Sequence, residues 1–397
     1  MGLIALIGFA AVVLLAMLLL HGYLWWRLVR CTTRPGRARR LLTLGTVVLA
    51  LLPAVTVLLR GRLPMAVATP LDWVGYTWLG LAFYLFLAVL VAEPLRVAVS
   101  LLRRRREDSH DPDRRLFLAR GLAVTAGAVA VATAGTGVVL ANSAPVVRSV
   151  PIRIPRLDPA LAGLRIVTFS DGHLSATYGR RRFERVVELV NAQQPDVVAI
   201  VGDLVDGEVS ELRGDVAPLA DLVSAQGVFF VTGNHEYFVD TAAWLRHLPT
   251  LGVDVLRNER VPIRRGSASF DLAGIDDRTA ARSGLPGHGA DLDAALDGRD
   301  DDVPVVLLAH QPVQVEQARS AGVDLQLSGH THGGQLWPFD YAVRLDQPVV
   351  AGWSMQGSTQ LYVTSGSGYW GPPMRVGARP EVTVVELQPG EPVEPRR

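Results

Sequence analysis

Four long apolar runs fill the first part of the chain: Leu3–Leu20, Leu41–Leu59, Trp73–Ala92 and Gly121–Ala141, each without a charged residue. About 20 apolar residues cross a bilayer as a helix, so all four are read as spans and residues 1–141 as an all-α transmembrane region. None of the first three runs holds an ionisable residue that would mark a transport pathway, so anchoring is their simplest role. Asn142–Ala162 carries Pro145, Pro151, Pro155 and Pro159 and reads as a linker. From Gly163 the pattern changes. Arg165–Ser170, Asp196–Val201 and Gly227–Thr232 read as buried strands. Between them Phe183, Val186, Val187 and Val190 recur at helical spacing within Arg180–Ala192, and a second helix is expected within Val216–Ala225. Further strands are expected at Val253–Leu256, Val261–Arg264, Ser269–Gly274, Val305–Ala309, Leu325–Ser328, Leu361–Thr364 and Glu381–Leu387, with helices at Thr241–Leu248 and Val313–Ala321. Strand–helix alternation followed by strands in succession predicts an α/β domain of two packed sheets over residues 163–388. Gly287–Asp302 reads as a mobile polar loop, and residues 389–397 as a tail.

Composition sharpens this picture in two places. The net charge of +1 points to no polyelectrolyte partner, so no nucleic-acid partner is indicated. Cys31 is the only cysteine, which excludes an intrachain disulfide and a thiolate zinc site. Every basic residue is arginine, and the arginines are uneven. The first loop holds Arg27, Arg30, Arg34, Arg37, Arg39 and Arg40; the second only Arg60 and Arg62; the third Arg103–Arg106, Arg114 and Arg115. By the positive-inside rule the first and third loops are cytoplasmic. Everything after the fourth run is then extracytoplasmic, in a multi-pass protein of the cell membrane. Arg114-Arg115-Leu116-Phe117-Leu118 ahead of that run is similar to a twin-arginine export signal, although Asp113 stands where Ser or Thr is usual.

The candidate chemistry sits at the strand ends. Ser170-Asp171-Gly172-His173 follows the first strand, Gly202-Asp203-Leu204-Val205-Asp206 the second, and Gly233-Asn234-His235-Glu236 the third. His310-Gln311-Pro312 and Gly329-His330-Thr331-His332-Gly333 follow later strands. Five of the nine histidines fall in these blocks. Sites in open α/β sheets form at the carboxyl ends of strands. If the last strand continued, His330 and His332 would project to one face. A donor set of imidazoles and oxygens without thiolate suits Mn, Fe, Zn, Ni or Mg. Asp276 and Asp277 either line the site or hold a turn. His247 and His288 belong to no block and read as surface residues.

In order and spacing, the five blocks resemble the signature of the calcineurin-like metallophosphoesterases: Asp-x-His, Gly-Asp-x-x-Asp, Gly-Asn-His-Asp/Glu, a lone His, then Gly-His-x-His. The resemblance covers roughly Gly163–Leu387 and is strongest toward membrane-attached or exported members, whose tail is similar to Ser365–Arg375. It implies a four-layer β-sandwich flanked by helices and a site for two metal ions. Asp171, His173 and His332 would hold one ion, Asn234, His310 and His330 the other, and Asp203 would bridge them. It further implies attack on phosphorus by a metal-bridging hydroxide, with His235 as a catalytic group that does not ligate. Asp206 and Glu236 are expected to brace the loops. Arg375 is a candidate substrate-phosphate contact, and Tyr369 and Trp370 either wall the pocket or pack. The expected function is a membrane-anchored phosphoesterase, a diesterase rather than a monoesterase, acting on a lipid-linked or envelope-derived phosphoester. The alternative is a membrane sensor or partner-binding protein with a non-catalytic phosphoester-binding domain.

Overall fold

The computed structural model describes residues 3–59, 61–104 and 112–394. Arg60, Arg105 and Arg106, which enter the charge argument above, lie outside them. The chain divides into two compact units, Met1–Val139 with Gly371–Met374, and Leu140–Trp370 with Arg375–Arg397.

The first unit is helical. Its helices are α1 (Leu3–Leu24), extended by a π-helical turn at Trp25–Arg30, α2 (Arg37–Leu59), α3 (Met65–Val91), α4 (Glu93–Arg104) and most of α5 (Pro112–Asn142). Four segments are long and apolar enough to cross a membrane: Ile7–Arg30, Arg37–Leu59, Met65–Ala98 and Asp113–Asn142. They run beyond the four uncharged stretches, because helical hydrogen bonding continues past the last apolar residue and polar side chains at the ends find partners. That extension corrects one expectation, since Asp72 now lies inside α3 and His21 inside α1. His21 is buried; its Nδ1 lies 2.9 Å from Met17 O, and its Nε2 accepts from Trp78 Nε1 at 3.0 Å. Helices α2 and α3 approach closely at Gly75, where a Cβ would lie 2.0 Å from Thr56 Oγ1.

The second unit contains two six-stranded sheets. The first is ordered β1 (Val146–Ile154), β12 (Glu381–Pro389), β2 (Arg165–Phe169), β3 (Val197–Val201), β4 (Val228–Val231), β5 (Asp254–Val255). The second is ordered β10 (Gly352–Gln356), β11 (Thr359–Val363), β9 (Leu325–Ser328), β8 (Val305–Leu308), β7 (Ala268–Gly274), β6 (Glu259–Arg265). Strands β2, β3, β4 and β5 are mutually parallel, as are β7, β8, β9 and β11. The sheets share one core, in which Ile166, Val197, Phe229 and Val231 of the first sheet meet Phe270, Leu272, Val306 and Leu325 of the second.

The outer faces are covered by helices. Phe183, Val186, Val187 and Val190 are the buried face of α6 (Arg180–Ala192), and Phe183 meets Phe169 of β2 edge to face. On the other side, Leu292 and Ala295 of α9 (Leu292–Leu296) and Ala318 of α10 (Val315–Ser320) pack with Val305 and Leu307 of β8. The result is the four-layer α/β/β/α sandwich that the strand pattern and the resemblance imply.

Four local expectations are corrected. Residues 142–162 are not a linker: Val146–Ile154 is an edge strand paired in parallel with β12, with Val150, Ile152 and Ile154 turned into the core. Pro151 is tolerated because an edge strand need not donate on both sides. The helix expected in 216–225 is instead α7 (Val209–Val216), capped reciprocally by Glu208 and Glu211. Beyond it, Pro218 opens a tighter 3-10 turn. The next helix, α8 (Thr241–His247), lies where the pattern places it, with Asp240 accepting from Ala243 N at its start. The polar stretch 287–302 contains α9, started by Asp291 accepting from Ala294 N at 2.9 Å and held by its buried Leu292 and Ala295. Strand β10, which forms a hairpin with β11, has no counterpart among the strands expected from the pattern.

Candidate metal centre

The carboxyl ends of strands from both sheets converge on one group of side chains. Asp171 and His173 follow β2, Asp203 follows β3, Asn234 and His235 follow β4, His310 follows β8, and His330 and His332 follow β9. The backbone leaves strand geometry at each turn. Asp171, His173, Asp203, His330 and His332 all have positive φ, between 47° and 71°. Side chains with a Cβ avoid that region, and the strain concentrates where surrounding structure enforces it. The strand-alternation argument for His330 and His332 therefore does not hold, because β9 ends at Ser328. Instead the two rings part: His332 joins Asp171 and His173, while His330 joins Asp203 and His310.

Donor atoms crowd together. His173 Nε2 lies 2.9 Å from His332 Nε2, and His332 Nε2 lies 3.4 Å from Asp171 Oδ1. Asp203 Oδ2 lies 3.2 Å from His310 Nε2, 3.8 Å from His173 Nε2 and 4.0 Å from His235 Nε2. Asp203 thus sits between the two groups. Glycines make this approach possible: a Cβ on Gly233 would lie 2.2 Å from Asp203 Oδ1 and 2.4 Å from its backbone nitrogen. Gly233→Ala is expected to displace Asp203, lowering any metal-dependent activity at least about a hundredfold and stability by about 1–3 kcal/mol. Calorimetric metal titration and thermal melts of the variant check this.

The braces are equally specific. The buried Glu236 carboxylate accepts from the backbone nitrogens of Gly233 at 2.7 Å, Leu204 at 2.8 Å and Asp203 at 2.9 Å, tying two turns together. Burial and the nearby Asp203 charge raise its pKa to about 7. Asp206 Oδ1 faces His235 Nδ1 at 2.5 Å and His173 Nδ1 at 3.2 Å. Holding Nδ1–H leaves Nε2 of each ring directed at the cluster. His310 is fixed likewise, its Nδ1 lying 2.8 Å from Val201 O.

Arg375 does not take the substrate-contacting role expected of it. It is fully buried, and its guanidinium donates to the carbonyls of His332, Ser365, Gly366 and Gly368. Desolvation lowers its pKa to about 10. With its donors turned onto the chain's own carbonyls, it braces the His332 loop and does not present itself to a phosphate. Tyr369 packs, donating to Thr177 O at 2.7 Å, whereas Trp370 is half exposed and meets the His235 ring at 5.8 Å. Asp276 is clamped by Arg257 at 2.7 and 3.0 Å, and Asp277 accepts from Thr279 and Gln311, so both stabilise turns.

Electrostatics favour cations here. Burial alone would raise Asp203, but His310, His235 and His173 hold its carboxyl well below the usual range. Burial lowers His330 to about 3 and also depresses His332, aided by Arg375, and both shifts favour the neutral imidazole that a metal takes. His310 moves the other way: despite burial, Asp203 holds it well above its ordinary value. One buried acceptor near this cluster, Asn234 Oδ1, lacks a hydrogen-bond partner, and the buried His310 Nε2 has only the Asp203 carboxylate to face. An orphaned acceptor is costly in an interior. A free amide oxygen in the turn that also carries His235 is what a metal ligand would show, and the residues fit one or more hard or borderline cations. Among the described residues, three overlapping sets can hold an ion: Asp171, His173 and His332; Asp203, His310 and His330; and His173, Asp203 and His235.

Residues 164–334 match the model of the calcineurin-like phosphoesterase domain. The chain is 40% identical over 328 residues to a Bos taurus transmembrane protein with metallophosphoesterase domain, covering 79% of this chain and 73% of that one. It is 30% identical over 390 residues to an uncharacterized metallophosphoesterase of Campylobacter jejuni, covering 96% of this chain and 98% of the other. Among solved structures it is similar to a dimetal phosphatase from Danio rerio, with 14% identity and a TM-score of 0.39 over 57% of this chain and 100% of that one. A metal-binding Asp/His cluster at the strand ends of a four-layer sandwich, in a chain with four apolar helices, belongs to a member of the calcineurin-like metallophosphoesterase family.

Proposed function

We propose that the chain is a membrane-anchored phosphodiesterase with a dinuclear metal centre on the extracytoplasmic side. The observation that carries the reading is the convergence of Asp171, His173, Asp203, His310, His330 and His332, with Asp203 between two ligand groups. In this assignment Asp171, His173 and His332 would hold one cation and Asn234, His310 and His330 the other, with Asp203 available to both. Two divalent or transition-metal ions there would polarise the phosphoester oxygens and make water a nucleophile near neutral pH.

The chain's own groups do the rest. Hydrolysis adds water across a P–O bond, and the departing oxygen needs a proton. His235 is placed to give it, since its Nδ1 is anchored on Asp206 at 2.5 Å and its Nε2 faces the cluster. Asp206 fixes the ring and stabilises its protonated form.

The outward orientation rests on the arginine-rich first and third loops. Arg114 and Arg115, in the first turns of α5, are consistent with export of this domain in folded form by a twin-arginine-type route. Cys31, the only cysteine, offers a test. In intact cells a membrane-impermeant maleimide is expected to leave Cys31 unlabelled and to label Val223→Cys in a Cys31→Ser background. The reverse pattern would invert the topology.

A further inference from the structure

Rigid apolar surface is exposed beside His235. Phe238, 73% exposed, lies 5.1 Å from the His235 ring, and Trp370, 50% exposed, lies 5.8 Å from it, both edge to face. Trp370 is fixed to the metal loop itself: Gln335 Nε2 donates to Trp370 O at 2.7 Å, and Trp370 N donates to Gln335 Oε1 at 3.0 Å. Past Gln335, Trp337 is held by its backbone nitrogen on Val376 O at 2.8 Å, and Phe339 by its own on Leu336 O at 2.8 Å. Both are exposed. Phe238 and Trp370 are therefore held at the edge of a polar, charge-rich site and not in a core, and Trp337 and Phe339 follow on the segment that leaves the metal loop. Large exposed aromatic side chains beside a polar site mark a binding region.

Its place relative to His235 narrows what binds. A group that protonates the departing oxygen has the leaving alcohol next to it. We propose that Phe238 and Trp370 receive that alcohol, with Trp337 and Phe339 extending the surface, and that the alcohol carries an alkyl or acyl chain. The substrate class is then a lipid phosphodiester, cleaved to a lipid alcohol and a phosphomonoester. Four apolar helices in the same chain place such a substrate in the membrane the protein occupies. The inference rests on the hydrolase reading and on the role it gives His235.

The test uses the full chain in lipid nanodiscs, hydrolysing bis(p-nitrophenyl) phosphate with added metal. Methyl-, butyl- and hexylphosphonate are titrated as competitive inhibitors. The inhibition constant is expected to fall at least about tenfold from methyl to hexyl in the wild type, since each methylene leaving water contributes favourably. That dependence should shrink to about threefold or less in Phe238→Ser and in Trp370→Ser. It should persist in Val223→Ser, an exposed apolar residue before β4 at the far ends of the strands. Constants that do not change with chain length in the wild type, or an undiminished dependence in both aromatic variants, would overturn the proposal. An absence of any metal-dependent hydrolysis is a different result, since it removes the hydrolase reading beneath it.

Discussion

Asp203→Asn is expected to abolish metal-dependent phosphodiester hydrolysis, lowering kcat/KM at least about a thousandfold, roughly 4 kcal/mol of transition-state stabilisation. The substitution keeps size and shape. Its Oδ1 can still accept from His235 N at 2.8 Å, so the turn should survive. What disappears is the single negative charge facing His310 at 3.2 Å, His173 at 3.8 Å and His235 at 4.0 Å. That charge is what both groups of ligands share. Bound metal per chain, measured by elemental analysis, should fall with activity while circular dichroism stays unchanged. His235→Ala should separate the two quantities, with metal retained and turnover lost, because its ring is assigned to proton donation and not to ligation.

A fragment beginning at Gly163 is expected not to fold, whereas one beginning at Ser143 should. The difference is β1 and the turn after it. Val150, Ile152, Ile154, Leu157 and Leu161 are all at most 4% exposed. At about 1.5–3 kcal/mol for each fully buried side chain, their loss costs about 8–15 kcal/mol. That is as large as the whole stability of an ordinary domain, about 5–15 kcal/mol. Removing β1 also leaves β12 as a bare edge along the register Val146↔Glu381 to Ile154↔Pro389, which invites aggregation. Thermal melts and size-exclusion chromatography of the two fragments check this. A cooperative transition at the same temperature in both would show β1 to be dispensable.

This edge strand also shows where sequence reasoning stops. Val150, Ile152 and Ile154 alternate with exposed Ser149, Pro151 and Arg153, which is the period of a half-buried strand. Four prolines in the same stretch mask that alternation, although an edge strand accepts one of them. Helix α9 is obscured for a similar reason, because its few inward-facing residues, Leu292, Ala295 and the half-buried Leu296, lie in a stretch otherwise polar. The parallel strands β3, β4 and β8 are legible because burial on both faces leaves continuous apolar runs, while β2 is broken only by Thr168 and β9 shows the alternation of Leu325 and Leu327 with Gln326 and Ser328. The polar blocks after them are legible because a core would not accept them. Sequence does not reveal how Arg375 is used. A lone arginine after Gly-Pro-Pro-Met reads the same whether it faces a phosphate or four backbone carbonyls, and only the closure of the His332 loop over it decides. Strand alternation alone misses the parting of His330 and His332, which the family resemblance implies, since it depends on left-handed backbone at both residues, at φ 71° and 52°.

The most direct test is metal add-back to the full chain purified in detergent and stripped with chelator. Mn, Zn, Fe, Ni and Mg are returned singly, and hydrolysis of bis(p-nitrophenyl) phosphate and of p-nitrophenyl phosphate is followed beside Asp203→Asn. The expected result is turnover restored by at least one metal, faster on the diester and lost in Asp203→Asn. A folded, metal-loaded protein that hydrolyses neither ester with any of these metals would contradict the catalytic reading and leave a protein whose metallophosphoesterase domain only binds.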